Sequence, residues 1–306
     1  MEPGFTPYRT SGSTGEPVTW WRGREQLAAE AELLAGLFAD DPPDAIVTHA
    51  PEEHLFGQLM GVLVPRLLGV PAVRLQLLDG LPAGPVRPLV AAVPATWWAL
   101  EHAGRALDGY ERVTVVHSTA ALPERAAAVC AAHPHLRLTE LHGSTETGLI
   151  GVRRGGPDGG GAWRLAPDVR PAGPWNPGEE TRLTVSGPRL ARTEPDAPLP
   201  DAFVLDDLVV PVDSRAYRLV GRRTRLVKVN GRRVNADAVS NRLRAAAPGC
   251  RLSWTPVTDP LRGEWYEILV DGDATATARV ARAVDTVLAP GERPRLVRPA
   301  VPGRRS

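Results

Sequence analysis

Residues 10–17 read Thr-Ser-Gly-Ser-Thr-Gly-Glu-Pro, and this stretch decides how the rest of the chain is interpreted. Its first six residues hold two glycines and four hydroxyl side chains: Thr10, Ser11, Gly12, Ser13, Thr14 and Gly15. Glycine lets the backbone approach a ligand closely, so such a loop can direct N–H groups and hydroxyls at phosphate oxygens. The stretch lacks the Gly-Lys-Ser/Thr ending of a P-loop. Alone, the stretch fits a phosphate-binding loop and a flexible linker equally well. The other segments of the chain are needed to distinguish these two interpretations.

The charge balance and the apolar pattern exclude several classes of protein. The chain has 306 residues, enough for one large domain or two modest ones. Its 36 basic and 35 acidic residues give a net charge of +1, so neither nucleic acid nor a membrane surface is expected as a partner. Pro65, Arg66 and Pro71 interrupt the richest apolar stretch, residues 59–73, which predicts no membrane span. The first residues do not resemble a signal peptide, so we expect a cytoplasmic protein.

Two residue types are rare enough to be informative. Cys130 and Cys250 form no Cys-x-x-Cys pair, so the sequence indicates neither a disulfide framework nor a zinc site. Only one of the 36 basic residues is a lysine, Lys228, and the others are arginines. Such a bias is typical of GC-rich coding, and it makes the one retained lysine a candidate functional residue.

Helical and strand patterns alternate through the first part of the chain. Helical periodicity covers residues 24–38, 55–69, 94–106 and 122–132, and strand patterns cover 45–48, 72–77, 112–117 and 136–141. This alternation predicts an α/β fold with a mostly parallel sheet. From about Gly151 the pattern changes to short strands at 181–186, 203–210 and 216–220, separated by Gly/Pro turns.

A smaller α+β pattern follows Gly221. It consists of a hairpin at 225–234, a helix at 237–247, strands at 251–255 and 265–270, and a helix at 274–288. We therefore predict two domains, residues 1–220 and residues 221–306.

Further segments, read with the glycine-hydroxyl loop, carry a family resemblance. In chain order they are PEEHLFG at 51–57, VHSTAALP at 116–123, HGSTETG at 142–148, a Gly-Glu-Glu to Val-Ser-Gly-Pro stretch at 178–188, LDDL at 205–208 and GRRTRLVKVNGRRV at 221–234. Together they resemble the adenylate-forming superfamily of acyl- and aryl-CoA synthetases, nonribosomal peptide adenylation domains and luciferases. The resemblance implies a large, here truncated, nucleotide- and substrate-binding domain with a mostly parallel sheet, and a small mobile C-terminal domain.

The resemblance also implies a role for each motif residue. The loop at 10–15 would bind phosphates, Ser118 and Thr119 would lie against adenine where a Gly-Gly pair is usual, and His142, in place of a tyrosine, would stack on the purine. Gly143 and Ser144 lead to Thr145, which would contact the α-phosphate, and to Glu146, which would hold Mg²⁺. The remaining assignments are His54 beside the acyl pocket, Asp207 at the ribose hydroxyls, Arg222 near the ribose and Thr224 at the hinge.

The chain departs from the family pattern at three places that bear on catalysis. The loop lysine is Val18, and the C-terminal catalytic lysine is Arg304, whose guanidinium differs in shape and reach from an ammonium group. Lys228, by contrast, matches the family pattern, at a position that relatives present during the second half-reaction. Only nine residues precede the loop, so we expect an exposed sheet edge or face that a partner or a second copy covers, as in a homo-oligomer.

The resemblance implies ATP-dependent activation of a carboxylic acid as an acyl-adenylate, followed by transfer to the thiol of CoA or of the phosphopantetheine of an acyl carrier protein. Phe56, Trp97 and Trp98 suggest an apolar or aryl acid, and the composition suggests specialised metabolism. Two alternatives remain open. One is a non-catalytic relative that binds nucleotide or a carrier protein, and the other is an enzyme that activates a different oxyanion, such as nitrite in diazo formation.

Overall fold

The computed structural model describes residues 4–11, 17–76, 79–84, 86–120, 122–123, 125–155, 161–223, 226–229, 232–259 and 263–300. The chain divides into two compact units. One comprises residues 1–179, 184–205 and 211–218, and the other comprises 180–183, 206–210 and 219–306. The division between residues 220 and 221 stays a prediction.

The described elements follow one another in this order: β1 (Phe5–Ser11), β2 (Pro17–Gly23), α1 (Arg24–Gly36), β3 (Ala45–Thr48), α2 (Leu55–Gln58), a π-helical segment (Leu59–Leu63), α3 (Val64–Leu68), β4 (Ala72–Arg74), β5 (Pro88–Ala92), α4 (Pro94–Ala103), a 3-10 turn (Gly104–Gly109), β6 (Val113–His117), α5 (Arg125–Ala132), β7 (Leu136–Ser144), β8 (Gly148–Arg154), β9 (Trp163–Leu165), β10 (Arg170–Pro171), β11 (Thr181–Ser186), β12 (Phe203–Pro211), β13 (Ala216–Arg222), β14 (Leu226–Val229), β15 (Arg232–Asn235), α6 (Ala236–Ala246), β16 (Arg251–Asp259), β17 (Gly263–Asp271), α7 (Ala274–Val287), a second 3-10 turn (Pro290–Glu292) and β18 (Leu296–Pro299).

The large sheet has the order β10-β11-β12-β13-β9-β8-β7-β6-β5-β3-β4. From β4 to β7 neighbouring strands are parallel, and β7 then pairs antiparallel with β8, which pairs antiparallel with β9. The predicted α/β class with a parallel sheet is confirmed, and the change of pattern near Gly151 marks the antiparallel extension. β3 and β5 are buried along their whole length, as strands covered on both faces are.

A hairpin that the sequence patterns did not predict carries the glycine-hydroxyl loop. β1 and β2 pair antiparallel, with Ser11 opposite Pro17, so residues 12–16 connect two strands. The buried Tyr8 hydroxyl donates to Gln58 on α2, and burial raises the pKa of Tyr8 to about 12. α1 begins directly after the hairpin, where Gln26 accepts a hydrogen bond from the Gly23 N–H at 2.9 Å. The hairpin therefore fixes where the loop begins and ends.

The helical pattern at 55–69 forms two short α-helices separated by a π-helical segment. The Val64 N–H donates to the Leu59 carbonyl, five residues back, immediately before Pro65. Proline lacks the N–H that an α-helix would use at this point, which favours a local widening of the helix.

The second unit has its own core. β16, β17 and β18 form a three-stranded sheet, and buried residues of this sheet pack with residues of α6 and α7, including Val239, Leu243 and Val280. Asn235 accepts from the Asp237 and Ala238 N–H groups at the start of α6, and Asp273 accepts from the Ala276 N–H at the start of α7. Among the described residues, no helix is both long and apolar enough to cross a membrane.

Candidate active site

The motif residues of the first unit gather at the carboxyl ends of the parallel strands, where open α/β sheets bind ligands. Ser118 and Thr119 follow β6, and the pairing of His117 with Glu140 places them beside the second half of β7. The Ser118 hydroxyl donates to the Leu141 carbonyl at 3.3 Å, next to His142. Two segments that the resemblance assigns to one nucleotide are thus adjacent.

A buried tryptophan–histidine pair shapes the turn after β6. The Trp97 N–H donates to His117 Nδ1 at 3.1 Å, so the other ring nitrogen, Nε2, donates to the Ala120 carbonyl at 3.0 Å. Trp97 has no exposed surface and packs in a core cluster with Val115 and Val129, so its bearing on an apolar or aryl acid stays a prediction. Trp98 is partly buried and stacks on His102, 3.9 Å between ring centroids. The sequence analysis did not assign a role to His117.

Thr119 lies in the left-handed region of the backbone, at φ +77°, and is the one non-glycine residue with positive φ in the described part of the chain. A β-branched side chain is strained there. The resemblance implies a Gly-Gly pair in this turn, and glycine would adopt the conformation of Thr119 without strain.

Replacing Thr119 with glycine should stabilise the fold. Relief of roughly 1–2 kcal/mol of left-handed strain exceeds the extra chain entropy of glycine, about 0.5–1 kcal/mol. The midpoint of urea unfolding should rise while the slope of the transition stays unchanged. Thr114→Gly, made within β6, is the matched control and should lower the midpoint. Equal losses in the two variants would contradict the strain at position 119.

His142 is held in an aromatic cluster. Its Nδ1 lies 2.6 Å from the Tyr217 hydroxyl, and its ring centroid is 5.4 Å from that of Trp163. The Arg153 guanidinium lies over Trp163 at 4.7 Å, within the range of a cation–π contact. Tyr217 and Trp163 orient the proposed purine-stacking ring, and no motif in the sequence indicated them.

The turn at Thr145–Thr147 is closed by hydroxyl contacts and ends at a glycine. Ser144 and Thr147 hydroxyls are 3.1 Å apart, and the buried Thr147 hydroxyl donates to the Gly148 carbonyl. Gly148 has φ +69°, and a Cβ there would lie 2.3 Å from a carboxylate oxygen of Glu30. The final glycine of the motif is therefore required by both conformation and space.

Beneath this turn lies a buried charge network. Arg22 is fully buried, and its guanidinium donates to the Glu30 carboxylate at 2.7 Å, to the Thr145 carbonyl at 2.9 Å and to the Arg189 carbonyl at 2.8 Å. The second Glu30 oxygen accepts from the Leu149 N–H at 2.7 Å. Burial lowers the pKa of Arg22, and the charge of Glu30 acts in the opposite direction. The backbone of the motif turn is thus anchored to β2 and α1.

Arg189 extends the network. It donates to both oxygens of Asp168, at 2.7 and 2.9 Å, and to the Leu149 carbonyl at 2.7 Å. Burial alone would raise the pKa of Asp168, but the Arg189 guanidinium holds that pKa below its usual value. This pair therefore contributes stability above the unfolded pKa of Asp168, and the contribution is lost as the pH falls through the lowered folded value.

Glu146 is the residue of the turn that fits a magnesium ion. Its backbone carbonyl accepts from the Ala191 N–H at 2.7 Å, and its partly buried side chain supplies hard carboxylate oxygens. Mg²⁺ is commonly held by one or two carboxylates together with substrate phosphates. The donor set at this position is consistent with that chemistry.

The second unit brings the two proposed ribose residues together. Arg222 Nε lies 3.7 Å from Asp207 Oδ1, and the Asp207 side chain is 13% exposed whereas that of Arg222 is 66% exposed. The Arg222 N–H donates to Asp237 at the start of α6. The sequence motifs predicted each residue separately, and the structure places them within one ion pair.

Several predicted residues fall outside the described part. These are Gly12, Ser13, Thr14 and Gly15 of the loop, Thr224 at the proposed hinge, and Arg304. Ser11 and Lys228 lie in strands β1 and β14, and only their backbone is described. Thr10 accepts from the Trp20 indole at 3.2 Å. The proposed roles of these residues stay predictions.

The PEEHLFG segment lies before α2. His54 is exposed at the N-cap position and its side chain makes no capping bond, so its place beside the acyl pocket stays a prediction. Gly57 has a clear packing role, since a Cβ there would lie 1.8 Å from the Pro51 carbonyl oxygen. His49, which directly follows β3, was not identified from the sequence, and burial lowers its pKa.

Gly57→Ala should destabilise the first unit, because the Pro51 backbone must move to admit the methyl group. Overpacking of this kind costs typically about 1–3 kcal/mol, and we expect a value at the upper end. Gly61→Ala is the matched control in the same helical region, where the nearest atom to an added Cβ is 3.4 Å away. Chemical denaturation measures both, and equal effects would show that the Pro51 contact is unimportant.

Known proteins show related sequences and the same fold. A 4-coumarate–CoA ligase from Halorhodospira halophila is 29% identical over 240 residues, which are 78% of this chain and 56% of the relative. A 4-coumarate–CoA ligase from Rhodobacter capsulatus is 36% identical over 155 residues, 48% of this chain and 39% of the relative. The chain thus spans between two fifths and just over half of these relatives. No protein-family profile matches the chain.

The ATP-bound crystal structure of MatB from Rhodopseudomonas palustris superimposes with a TM-score of 0.78 at 20% identity, covering 98% of this chain and 65% of that chain. At this identity the likeness concerns the fold. The motifs occur in family order, the curated relatives are acid–CoA ligases, and the fold is that of a known member. These relatives and structural neighbours are adenylate-forming enzymes, and the predicted resemblance of the chain to that superfamily is confirmed.

Proposed function

We propose that this protein activates a carboxylic acid with ATP and transfers the acyl group to the thiol of CoA. The observation that carries the proposal is the adjacency of Ser118–Thr119 and His142–Glu146 at the carboxyl edge of the parallel sheet. The sequence relation to 4-coumarate–CoA ligases supports the reaction class. An apolar or aryl acid is the proposed substrate, and a phosphopantetheine-bearing carrier protein is the alternative acceptor.

In the first step, a carboxylate oxygen attacks the α-phosphorus of ATP, the new P–O bond forms, and the bond to pyrophosphate breaks. Hydroxyls of the loop and of Thr145 donate to phosphate oxygens, and His142 holds the purine. Glu146 would hold Mg²⁺, which neutralises charge on the phosphates when bound. Asp207, paired with Arg222, would accept hydrogen bonds from the ribose hydroxyls.

In the second step, the thiolate sulfur attacks the acyl carbon, the thioester bond forms, and AMP leaves with the electrons of the mixed-anhydride bond. Lys228 is the proposed cation for this step, and Arg304 is the proposed cation for the first. Rotation of the small domain about Thr224 would move Arg304 out of the active site after the first step and bring Lys228 in for the second. Preorganised charge and hydrogen-bond donors supply most of the stabilisation in such reactions.

ATP–pyrophosphate exchange across a panel of aryl and fatty acids tests the proposal. We expect exchange with at least one acid, loss of exchange on chelation of Mg²⁺, and release of a CoA thioester when CoA is added. Glu146→Gln should reduce exchange, whereas the matched exposed control Glu101→Gln should not.

Other outcomes separate the alternatives. Nucleotide binding by calorimetry without exchange for any acid would identify a non-catalytic relative. Pyrophosphate release that needs nitrite and an amine would identify the other oxyanion chemistry. A folded chain that binds no ATP or AMP at millimolar concentration would overturn all three readings.

A further inference from the structure

A cluster of three potential metal ligands lies at the opposite edge of the parallel sheet from the candidate active site. Asp108 belongs to the 3-10 turn that precedes β6, and His133 and His135 lie in the connection from α5 to β7. One ligand atom from each of these three residues lies within 4.8 Å of the other two. No sequence motif indicated this cluster.

The contacts within the cluster are specific. His133 Nδ1 lies 3.0 Å from Asp108 Oδ1, and the His133 side chain is 10% exposed while that of Asp108 is 56% exposed. His135 Nε2 lies 3.0 Å from the Leu107 carbonyl, and since a carbonyl can only accept, Nε2 is the donor. Histidines that bind metals typically donate their other ring N–H to such a carbonyl or carboxylate. The two rings meet edge to face, 5.9 Å between centroids.

Backbone hydrogen bonds hold both segments in place before any ion binds. The His133 N–H donates to the Val129 carbonyl at 3.1 Å, and the Leu136 N–H donates to the His133 carbonyl at 2.9 Å. The Tyr110 N–H likewise closes the 3-10 turn onto Leu107 at 3.2 Å. The Val113 N–H joins the two segments by donating to the His135 carbonyl at 3.4 Å. A preorganised ligand set loses little conformational entropy on binding.

The ligand set selects the class of ion. Two imidazoles with one carboxylate suit zinc and neighbouring first-row transition metals, whereas Mg²⁺ and Ca²⁺ prefer all-oxygen sites. We propose that Asp108, His133 and His135 bind one divalent transition-metal ion of the zinc class, with water completing the coordination. Strand β6 spans roughly 16 Å between this edge and Ser118. The ion therefore has a structural role: it crosslinks the 3-10 turn and the α5–β7 connection and takes no part in the proposed reaction.

Calorimetric titration of the untagged full chain with zinc chloride tests the proposal. We expect one equivalent to bind, and Asp108→Asn, His133→Ala and His135→Ala each to weaken binding by about tenfold or more. His102→Ala is the matched control, since His102 is an exposed histidine on α4 outside the cluster, and it should bind as wild type does. Zinc should raise the melting temperature of wild type and His102→Ala, and at the same zinc concentration it should raise that of Asp108→Asn by clearly less.

Cobalt(II) absorption provides a second readout, because its visible bands report the coordination geometry. Circular dichroism of each variant without metal shows whether it is folded. Absence of zinc binding by folded wild type would overturn the proposal. Equal zinc affinity of wild type and the His133→Ala/His135→Ala double variant would also overturn it, since the ion would then bind elsewhere.

Discussion

Glu30→Ala is expected to lower the free energy of unfolding by about 3–5 kcal/mol, the cost of removing one partner from a buried ion pair. Glu30 is 2% exposed and accepts hydrogen bonds from Arg22 and from the Leu149 N–H. Without its carboxylate, the Arg22 guanidinium remains buried with only backbone carbonyls as acceptors, and the Leu149 N–H loses its side-chain acceptor. Such a loss is a large part of the stability of a typical domain.

Urea unfolding at neutral pH measures this effect, with the exposed pair Arg251–Asp271 as the control. Those side chains are 74% and 66% exposed, so Arg251→Ala should leave stability almost unchanged. Glu30→Gln keeps the shape and an acceptor, and it provides the measurement if the alanine variant does not fold. The double variant Arg22→Met/Glu30→Met should lose much less unfolding free energy than the sum of the losses in Arg22→Met and Glu30→Met. Additive losses would show that the two side chains do not act as a pair.

Lys228→Ala is expected to abolish thioester formation while leaving adenylate formation largely intact. This prediction rests on the proposed function. If a positioned cation stabilises the second transition state, its removal should cost on the order of a hundredfold or more in rate. Arg304→Ala should have the complementary effect, a loss on the order of ten- to a hundredfold in the first step.

Single-turnover measurements of adenylate formation and of acyl transfer separate these two steps. Lys228→Arg is the matched variant that keeps the charge and changes the shape, and we expect partial recovery of transfer. If Lys228→Ala equals wild type in both steps, the lysine is an ordinary strand residue. If Arg304→Ala forms no adenylate and Arg304→Lys forms it no faster than wild type, the arginine is itself an effective adenylation residue.

The sequence predicted the parallel part of the fold well, because buried parallel strands and amphipathic helices have distinct periods. β3, predicted at residues 45–48, has those bounds in the structure. β5 was missed, since residues 88–92 are short and open with Pro88, a residue that argues against a strand although it is tolerated at the first position. The β1–β2 hairpin was missed because its strands contain Pro7 and Pro17 and flank a glycine-rich segment, a pattern typical of a loop.

The candidate site was predictable only where a motif marks a residue. The resemblance named Ser118, His142 and Thr145, and the structure places their segments side by side. Tyr217 and Trp163 lie far from His142 in sequence, so no local pattern could link them to it. Arg22, Glu30 and Arg189 are isolated charged residues in sequence, and only the fold shows that they meet.

The buried charge network also constrains how this chain can be recombined with a relative. A crossover between residues 22 and 30 would part Arg22 from Glu30, and one between 168 and 189 would part Asp168 from Arg189. A crossover between residues 30 and 168 keeps these two pairs intact and divides the longer Arg189–Glu30 contact of 3.5 Å. Chimeras joined in that middle interval should therefore fold far more often than chimeras joined in the other two.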